Sequence, residues 1–256
     1  MAAATIWKGH IHFGTIDVPV KMHAAVRDER VRFHLLHKRD HTRLQQQMFC
    51  THENRAVASD EQAKGYELEK GKYLLLDPKE LEQIVPEASR VIEVHEFVNT
   101  AEIDPLFLDR AYYLEPDDDG VSYQALASAL QKLDAAGICT WTMRKRSYVG
   151  AVQARGRVLR LNTLRSADEV IPVASLGLPE ATMTEKELNI GTQLIGQMTA
   201  SFEPRKFENE HQKKLQAMID QKMRGETVAV LPSRQLQPTE PNRLLEALEA
   251  SLKKAA

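Results

Sequence analysis

The sequence predicts a mixed α/β protein, with strands concentrated between residues 5 and 164 and helices after residue 184. Apolar residues alternate in the first part, and a capping box at Thr184-Glu185-Lys186-Glu187 opens a stretch with helical periodicity in the second. The chain of 256 residues is 43% hydrophobic and 27% charged, so it has enough apolar material for one large domain or two modest ones.

The strand candidates are short apolar or alternating runs bounded by turn residues. Pro19 suits an edge or a bulge, and Gly9 and Gly14 suit bulges or close approaches. Arg144, Lys145 and Arg146 fill one short connection and place three cations on a hairpin tip. The predicted strands are residues 5–22, 73–76, 91–98, 112–114, 138–143, 148–152 and 158–164.

Helices are predicted where apolar residues recur on one face. Pro78 begins a short helix, Ser122 caps a second with Gly137 just past its end, and Thr184 caps a third. A fourth runs from about 205 to 224, with Phe207 and Met223 among its inward residues. After a linker at 232–241 comes a last amphipathic helix, whose apolar face is formed by Leu244, Leu245, Leu248 and Leu252.

Residues 27–65 are polar and lack the periodicity of a core element. A long irregular segment in a compact protein is usually functional or flexible. The charge is also unevenly distributed: the net charge is +3 for residues 1–60, −10 for 61–120, +7 for 121–165 and −2 for 166–256. A fold that joins the two basic blocks would have a positive face despite the total of −2, although ordinary solvated faces explain the blocks equally well.

The sequence does not predict an enzyme, a metal centre or a cofactor. Phosphate-binding glycine loops and the serine-hydrolase elbow are missing, and His95-Glu96 has Asn99 where a zinc protease needs its second histidine. Seven of the nine histidines precede residue 53 without zinc-ligand spacing. Two cysteines, no long apolar run and no signal-peptide pattern at the N-terminus indicate a cytoplasmic protein.

Several motifs, in order along the chain, resemble those of the bacterial Ku proteins, the DNA end-binding family of non-homologous end joining. The resemblance runs from about residue 5 to 230. The residues that carry it are Ile6-Trp-Lys-Gly-His-Ile-His-Phe-Gly14, Val18-Pro-Val-Lys21, Ala63-Lys-Gly-Tyr-Glu67, Ile103-Asp-Pro105, Tyr112-Tyr-Leu-Glu-Pro116, Met143-Arg-Lys-Arg-Ser-Tyr148, Leu161-Asn-Thr-Leu-Arg165, Ala167-Asp-Glu-Val170, Leu194-Ile195, Met198 and Phe202-Glu-Pro204.

The resemblance implies a β-barrel core over residues 1–180 with a strand-rich bridge that encircles DNA. We name residues 27–75 the bridge segment. A helical arm follows over residues 181–230, and residues 231–256 form the linker and the C-terminal amphipathic helix. Two copies are expected to form a homodimeric ring through the helices at 184–224. In bacteria such a protein is cytoplasmic and nucleoid-associated.

The implied function is sequence-independent binding and protection of double-stranded DNA ends, with recruitment of a multifunctional DNA ligase. The family has no known catalytic role in joining. The residues expected to contact phosphate are Lys64, Arg144, Arg146, Arg43, Arg39 and Arg32. The alternative is a protein–protein scaffold of the same fold that does not bind DNA, which the net charge of −2 favours.

The C-terminal leucine face is expected to bind the ligase; the alternative is that this face packs on the helical arm of the same chain.

Two departures from the family pattern concern the bridge and the tail. Glu53 stands where some relatives have the second cysteine of a C-x-x-C, so a metal-stapled bridge is not expected. The sequence ends without the Lys-rich tail of many relatives, so we expect tail-dependent threading to be weak.

Overall fold

The computed structural model describes residues 4–179 and 184–225. These residues form two compact units. The first contains residues 4–28 and 34–175, and the second contains residues 29–33 together with 176–179 and 184–225.

The strands of the first unit are β1 (Thr5–Phe13), β2 (Ile16–Ala24), β3 (Phe49–Cys50), β4 (Arg55–Ala56), β5 (Lys64–Glu69), β6 (Lys72–Leu76), β7 (Val91–Asn99), β8 (Leu108–Pro116), β9 (Ala135–Met143), β10 (Arg146–Arg155) and β11 (Val158–Leu164). Seven of them form a closed barrel in the order β1-β2-β8-β11-β10-β9-β7; β1 and β7 run parallel, and the other neighbours run antiparallel. The barrel confirms the predicted mixed fold with a β-barrel core.

The core lies inside the barrel because each strand turns every second side chain inward. On β2 these are Val18, Val20 and Met22, all fully buried, as the alternation in the sequence predicts. Pro19 lies opposite His10 of β1 and just outside the ladder between β2 and β8, which begins at Val20; its carbonyl accepts from the Asp117 N–H at 3.1 Å beyond the end of β8. Its missing N–H therefore leaves the β8 ladder intact.

Gly9 is required by a close approach between β1 and the residue before β7. The N–H of His10 donates to the Arg90 carbonyl at 2.9 Å, and a Cβ on Gly9 would lie 2.1 Å from that oxygen. The Trp7 ring also covers Gly9 and packs against the core. This contact is the close approach that the sequence offers as one explanation of Gly9.

The helices of the first unit are α1 (Pro78–Gln83) and α2 (Val121–Leu133). Helix α2 packs on the barrel through Tyr123, Leu126 and Leu130. The Tyr123 hydroxyl donates to the Leu114 carbonyl at 2.6 Å and accepts from the Leu159 N–H at 2.7 Å. Leu114 and Leu159 are partners across β8 and β11, so this hydroxyl joins the helix to the sheet.

The expected ends of α2 were wrong at both termini. Gly120, with φ of 78°, is the N-cap, and Ser122 lies within the helix. Asp134, with φ of 47°, ends the helix in the left-handed region, whereas Gly137 belongs to β9. A Cβ on Gly137 would contact Val94 and Phe97, so strand packing explains this glycine better than helix termination.

The bridge segment contributes little to the core. Between residues 34 and 76 every residue is exposed except Cys50, Val57 and Leu76, which are partly buried. This part of the chain consists of small hairpins: one closed by the Leu36–Arg43 bridge, then β3–β4 and β5–β6. Isolated two-stranded hairpins are marginal in water, so other contacts must support them.

The second unit carries helices α3 (Glu185–Met198) and α4 (Glu210–Met223). The Thr184 capping box forms as the sequence predicts. The predicted inward residues Phe207 and Met223 are 73% and 82% exposed, so their placement was wrong for the single chain. The linker at 232–241 and the last helix lie outside the described residues.

Candidate nucleic-acid interface

The three cations at 144–146 occupy the tip of the β9–β10 hairpin. Met143 pairs with Arg146, so Arg144 and Lys145 are the two loop residues. Their φ angles are 52° and 62°, which is the geometry of a type I′ turn. This turn strongly favours Asn-Gly, because other side chains lose roughly 1–2 kcal/mol per residue in the left-handed region. The tip thus holds two cations in a conformation that disfavours both.

A groove of about 730 Å³ lies beside this tip and contains two further cations. Lys8 comes from β1 and Arg90 from the residue before β7, and both face the same groove as Arg144 and Lys145. The sequence analysis did not select Lys8, Arg90 or Lys145 individually. Their convergence depends on the pairing of β1 with β7, which brings distant parts of the chain together.

Ion pairs distinguish the cations that are already neutralised. Asp117 accepts from Lys21 at 2.6 Å and lies 3.5 Å from Lys8. The hydrogen bond from Lys21, with smaller contributions from both lysine charges, lowers the pKa of Asp117. In contrast, Arg90, Arg144, Lys145 and Arg146 have no ion-pair partner within residues 4–179 and 184–225. These four cations are therefore available to a phosphate.

Three of the other predicted contacts lie in the bridge segment, on two hairpins. Arg43 pairs with Leu36, and Arg39 lies in the loop that they close. The Asp40 carboxylate in this loop accepts from the Thr42 N–H at 3.0 Å and binds His37 Nδ1 at 3.0 Å, which fixes the loop. Lys64 begins β5 and is exposed. In the described part of the chain none of these three cations has an ion-pair partner.

Arg55 and Arg32 differ from these cations. Arg55 forms a two-pronged pair with Glu61 at 2.7 and 2.8 Å and also donates to Glu53 at 2.7 Å, so it stabilises the β3–β4 hairpin. The Arg55 hydrogen bond lowers the pKa of Glu61. Glu53 thus has a structural role in this hairpin. Arg32 belongs to the second unit and already takes part in an interaction.

A second basic cluster, missed as a site by the sequence analysis, comprises Arg155, Arg157 and Arg160 at the β10–β11 hairpin. The net charge of +7 for residues 121–165 included these arginines. A charge count alone does not show where they lie on the barrel. The predicted partner-binding residues Leu244, Leu245, Leu248 and Leu252 lie outside the described residues.

The described residues include no group of three or more His, Cys, Asp or Glu side chains that could hold a metal ion. Cys139 lies in the barrel core, where burial raises the pKa of its thiol to about 12. Such a thiol is inert as a nucleophile at neutral pH. No helix in residues 4–179 or 184–225 is long and apolar enough to cross a membrane.

Substituting the strained tip by Arg144→Asn with Lys145→Gly is expected to raise the free energy of unfolding by roughly 2 kcal/mol, because both residues suit a type I′ turn. The same change removes two cations and should weaken binding to duplex DNA. Chemical denaturation and duplex titration of the same preparation measure both effects. An unfolding free energy equal to or below that of the unaltered chain would contradict the strained turn.

Comparisons with known proteins agree with this architecture. Residues 12–190 match the family model described as the Ku70/Ku80 beta-barrel domain. The chain is 61% identical over 256 residues to non-homologous end joining protein Ku 2 of Geotalea uraniireducens, with both chains covered completely. It is 36% identical to the Ku protein of Anaeromyxobacter sp. strain K, covering 98% of this chain and 85% of that one. For the Ku protein of Bacillus subtilis the identity is 32%, covering 97% and 81%.

Proposed function

The chain belongs to the Ku family, and from this premise we propose that it binds the ends of double-stranded DNA in non-homologous end joining. Two copies would form a ring that accepts and protects a duplex end without reading its sequence. The protein would act as a binding and recruiting factor and not as an enzyme. Its place would be the bacterial cytoplasm, in association with the nucleoid.

The observation that carries this proposal is the set of exposed cations without acidic partners at the hairpin tip and in the bridge segment. Arg144 and Arg146 supply the first group, and Arg39, Arg43 and Lys64 the second. Contacts of this kind fix a duplex through its phosphates and carry no sequence information. A protein with a net charge of −2 can bind DNA in this way because only the surface that meets the duplex must be positive.

The homodimer remains proposed through the helices at 184–224, and exposed apolar side chains of the bridge segment offer a further contact between the two copies. In the β5–β6 hairpin, Tyr66 and Leu74 pair on one face, and Tyr73 and Leu75 lie on the opposite face. All four side chains are at least half exposed in the single chain. Because such a hairpin is marginal by itself, a second copy of this chain is the partner that we propose for this surface. Closing the ring would then also stabilise the bridge segment.

Ligase recruitment is assigned to the C-terminal leucine face. Leu244, Leu245, Leu248 and Leu252 recur at helical spacing after a linker that contains Pro232 and Pro241. An amphipathic helix at the end of a linker suits a groove on a partner protein. The multifunctional DNA ligase of the same repair reaction is the partner that we propose.

Deleting residues 232–256 tests whether this segment recruits the ligase and whether DNA binding lies elsewhere in the chain. We expect the shortened chain to bind a fluorescent linear duplex with the affinity of the full chain, because the proposed phosphate contacts lie elsewhere. We expect it to lose stimulation of the ligase in an end-joining assay. Loss of folding on deletion would contradict the docking role of this segment. Failure of the full chain itself to bind the duplex would favour the scaffold alternative.

A further inference from the structure

Arg155, Arg157 and Arg160 form a basic cluster at the opposite end of β10 from the Arg144–Arg146 tip. Arg155 ends β10, Arg157 follows Gly156 in the turn, and Arg160 lies in β11. The φ of Gly156 is 60°, which allows the tight turn that brings these arginines together. The proposed function does not use this cluster.

Strand register places two of these arginines on the outer face of the barrel. Leu159 and Leu161 are buried in the core, so the alternate position Arg160 points outward. Arg160 lies opposite Tyr113 on one side and opposite Gln153 on the other. Arg155 is two positions from Gln153 and shares its face. Tyr113, Arg155, Val158 and Arg160 line a shallow cavity of about 320 Å³.

The cavity offers guanidinium groups that no carboxylate neutralises. Arg155, Arg157 and Arg160 have no ion-pair partner among residues 4–179 and 184–225. The Arg160 guanidinium is oriented by the buried Gln153, whose Oε1 accepts from Nη2 at 3.4 Å. Arg110 and Arg165, by comparison, both lie beside Asp109. Planar, unpaired and pre-oriented guanidinium groups are suited to phosphate oxygens.

The strand β10 spans slightly less than one turn of a DNA duplex. The nine residue steps from Arg146 to Arg155 span at most roughly 30 Å, at about 3.3 Å per residue. A duplex lying along this strand presents equivalent phosphates about 34 Å apart, once per helical turn. The tip cluster and the Arg155–Arg160 cluster could therefore contact the same duplex about one turn apart.

We propose that the Arg155, Arg157 and Arg160 cluster is a second phosphate-binding surface for duplex DNA, about one turn away from the Arg144–Arg146 tip. This inference rests on the proposed function and adds to it a set of contacts on the outer face of the barrel. It predicts that the barrel aligns the duplex along β10 and does not hold it at a single point.

The test compares the variant Arg155→Gln with Arg157→Gln against a control of equal charge, Lys79→Gln with Lys132→Gln. All four residues are exposed. Binding of the intact dimer to a labelled duplex is titrated over a range of salt concentrations. Each lost phosphate contact should reduce the salt slope by about 0.9 and the affinity at 0.15 M salt about fivefold. We therefore expect a loss of about 30-fold for the arginine variant and less than about twofold for the control.

Equal losses in the two variants would overturn the inference, because the effect would then reflect net charge alone. Unchanged DNA affinity of the arginine variant would also overturn the inference. If variants of the Arg144–Arg146 tip lost DNA affinity in the same experiment, the proposed function would still stand. The proposed function fails separately if the unaltered chain does not bind the duplex. The variant Arg155→Lys with Arg157→Lys should retain the salt slope because both positive charges remain. It should lose part of the DNA affinity because lysine lacks the planar, forked guanidinium group.

Discussion

Replacing Arg144 and Arg146 by alanine is expected to lower the affinity for duplex DNA by about 30-fold at 0.15 M salt. Both cations lie at the tip of the β9–β10 hairpin, and neither has an acidic partner in the described part of the chain. Loss of two phosphate contacts should lower the slope of log affinity against log salt by roughly 1.8. Fluorescence anisotropy at three or more salt concentrations measures both quantities.

The variant Lys79→Ala with Lys132→Ala removes the same charge from two other exposed sites and is the matched control. It should change the affinity by less than about twofold, since distant exposed charges are screened at this ionic strength. Arg144 and Arg146 are themselves exposed, so the barrel should remain folded in both variants. An unchanged salt slope in the arginine variant would show that the tip does not contact DNA.

A large loss of stability is expected from Gly150→Ala. Gly150 lies in β10 between Cys139 of β9 and Thr163 of β11 and is buried. A Cβ there would lie 2.5 Å from the Asn162 carbonyl oxygen and 2.5 Å from the Trp141 ring. Neither neighbour can move freely: the carbonyl belongs to β11, and the indole stacks on Tyr148 with centroids 5.3 Å apart. We expect a loss of about 3 kcal/mol or more in the free energy of unfolding.

Gly191→Ala and Gly196→Ala provide the controls for this prediction. Both glycines lie in helix α3, and a Cβ at either position meets nothing within 4 Å. Alanine should stabilise each position by up to about 1 kcal/mol because it favours the helix. The same chemical change should thus have opposite signs in the barrel and in the helix. Denaturant unfolding that shows no loss for Gly150→Ala would contradict the close packing around Trp141.

The sequence alone predicted most strands of the barrel because local alternation marks which side chains face the core. Val18, Val20 and Met22 illustrate this, since all three are fully buried. The parallel pairing of β1 with β7 was not predictable in this way, because it joins residues about 80 positions apart that share no local pattern. The barrel itself was expected only from the resemblance to the Ku family.

Errors arose where one residue type serves two purposes. Gly137 was expected to end a helix, but it provides space for Val94 and Phe97 within the barrel. Met223 fits the helical stripe of α4, yet the single chain leaves it exposed, whereas Phe207 precedes α4, which begins at Glu210. A hydrophobic stripe predicts that a helix face is buried. It does not show whether the face is buried within its own chain or against another chain.

The candidate site was only partly predictable, because the sequence shows which residues are charged and only the structure shows which of them form ion pairs. Arg144 and Arg146 could be placed on a hairpin tip from the sequence, and the structure confirms that position. Side-chain geometry was needed to see that Glu53 and Glu61 neutralise Arg55. It was also needed to see that Arg155 and Arg160 share a cavity. The roles of Arg144, Arg146, Arg155 and Arg160 in DNA binding remain predictions.

The central claim, that the protein accepts a duplex end, is tested most directly with two forms of one duplex. One form has open ends, and the other is closed at both ends by bulky caps; binding is measured at low and high salt. We predict binding to the open form only, with a steep fall in affinity as salt increases. Equal binding to both forms would show that the protein binds the side of the duplex, and it would contradict the ring.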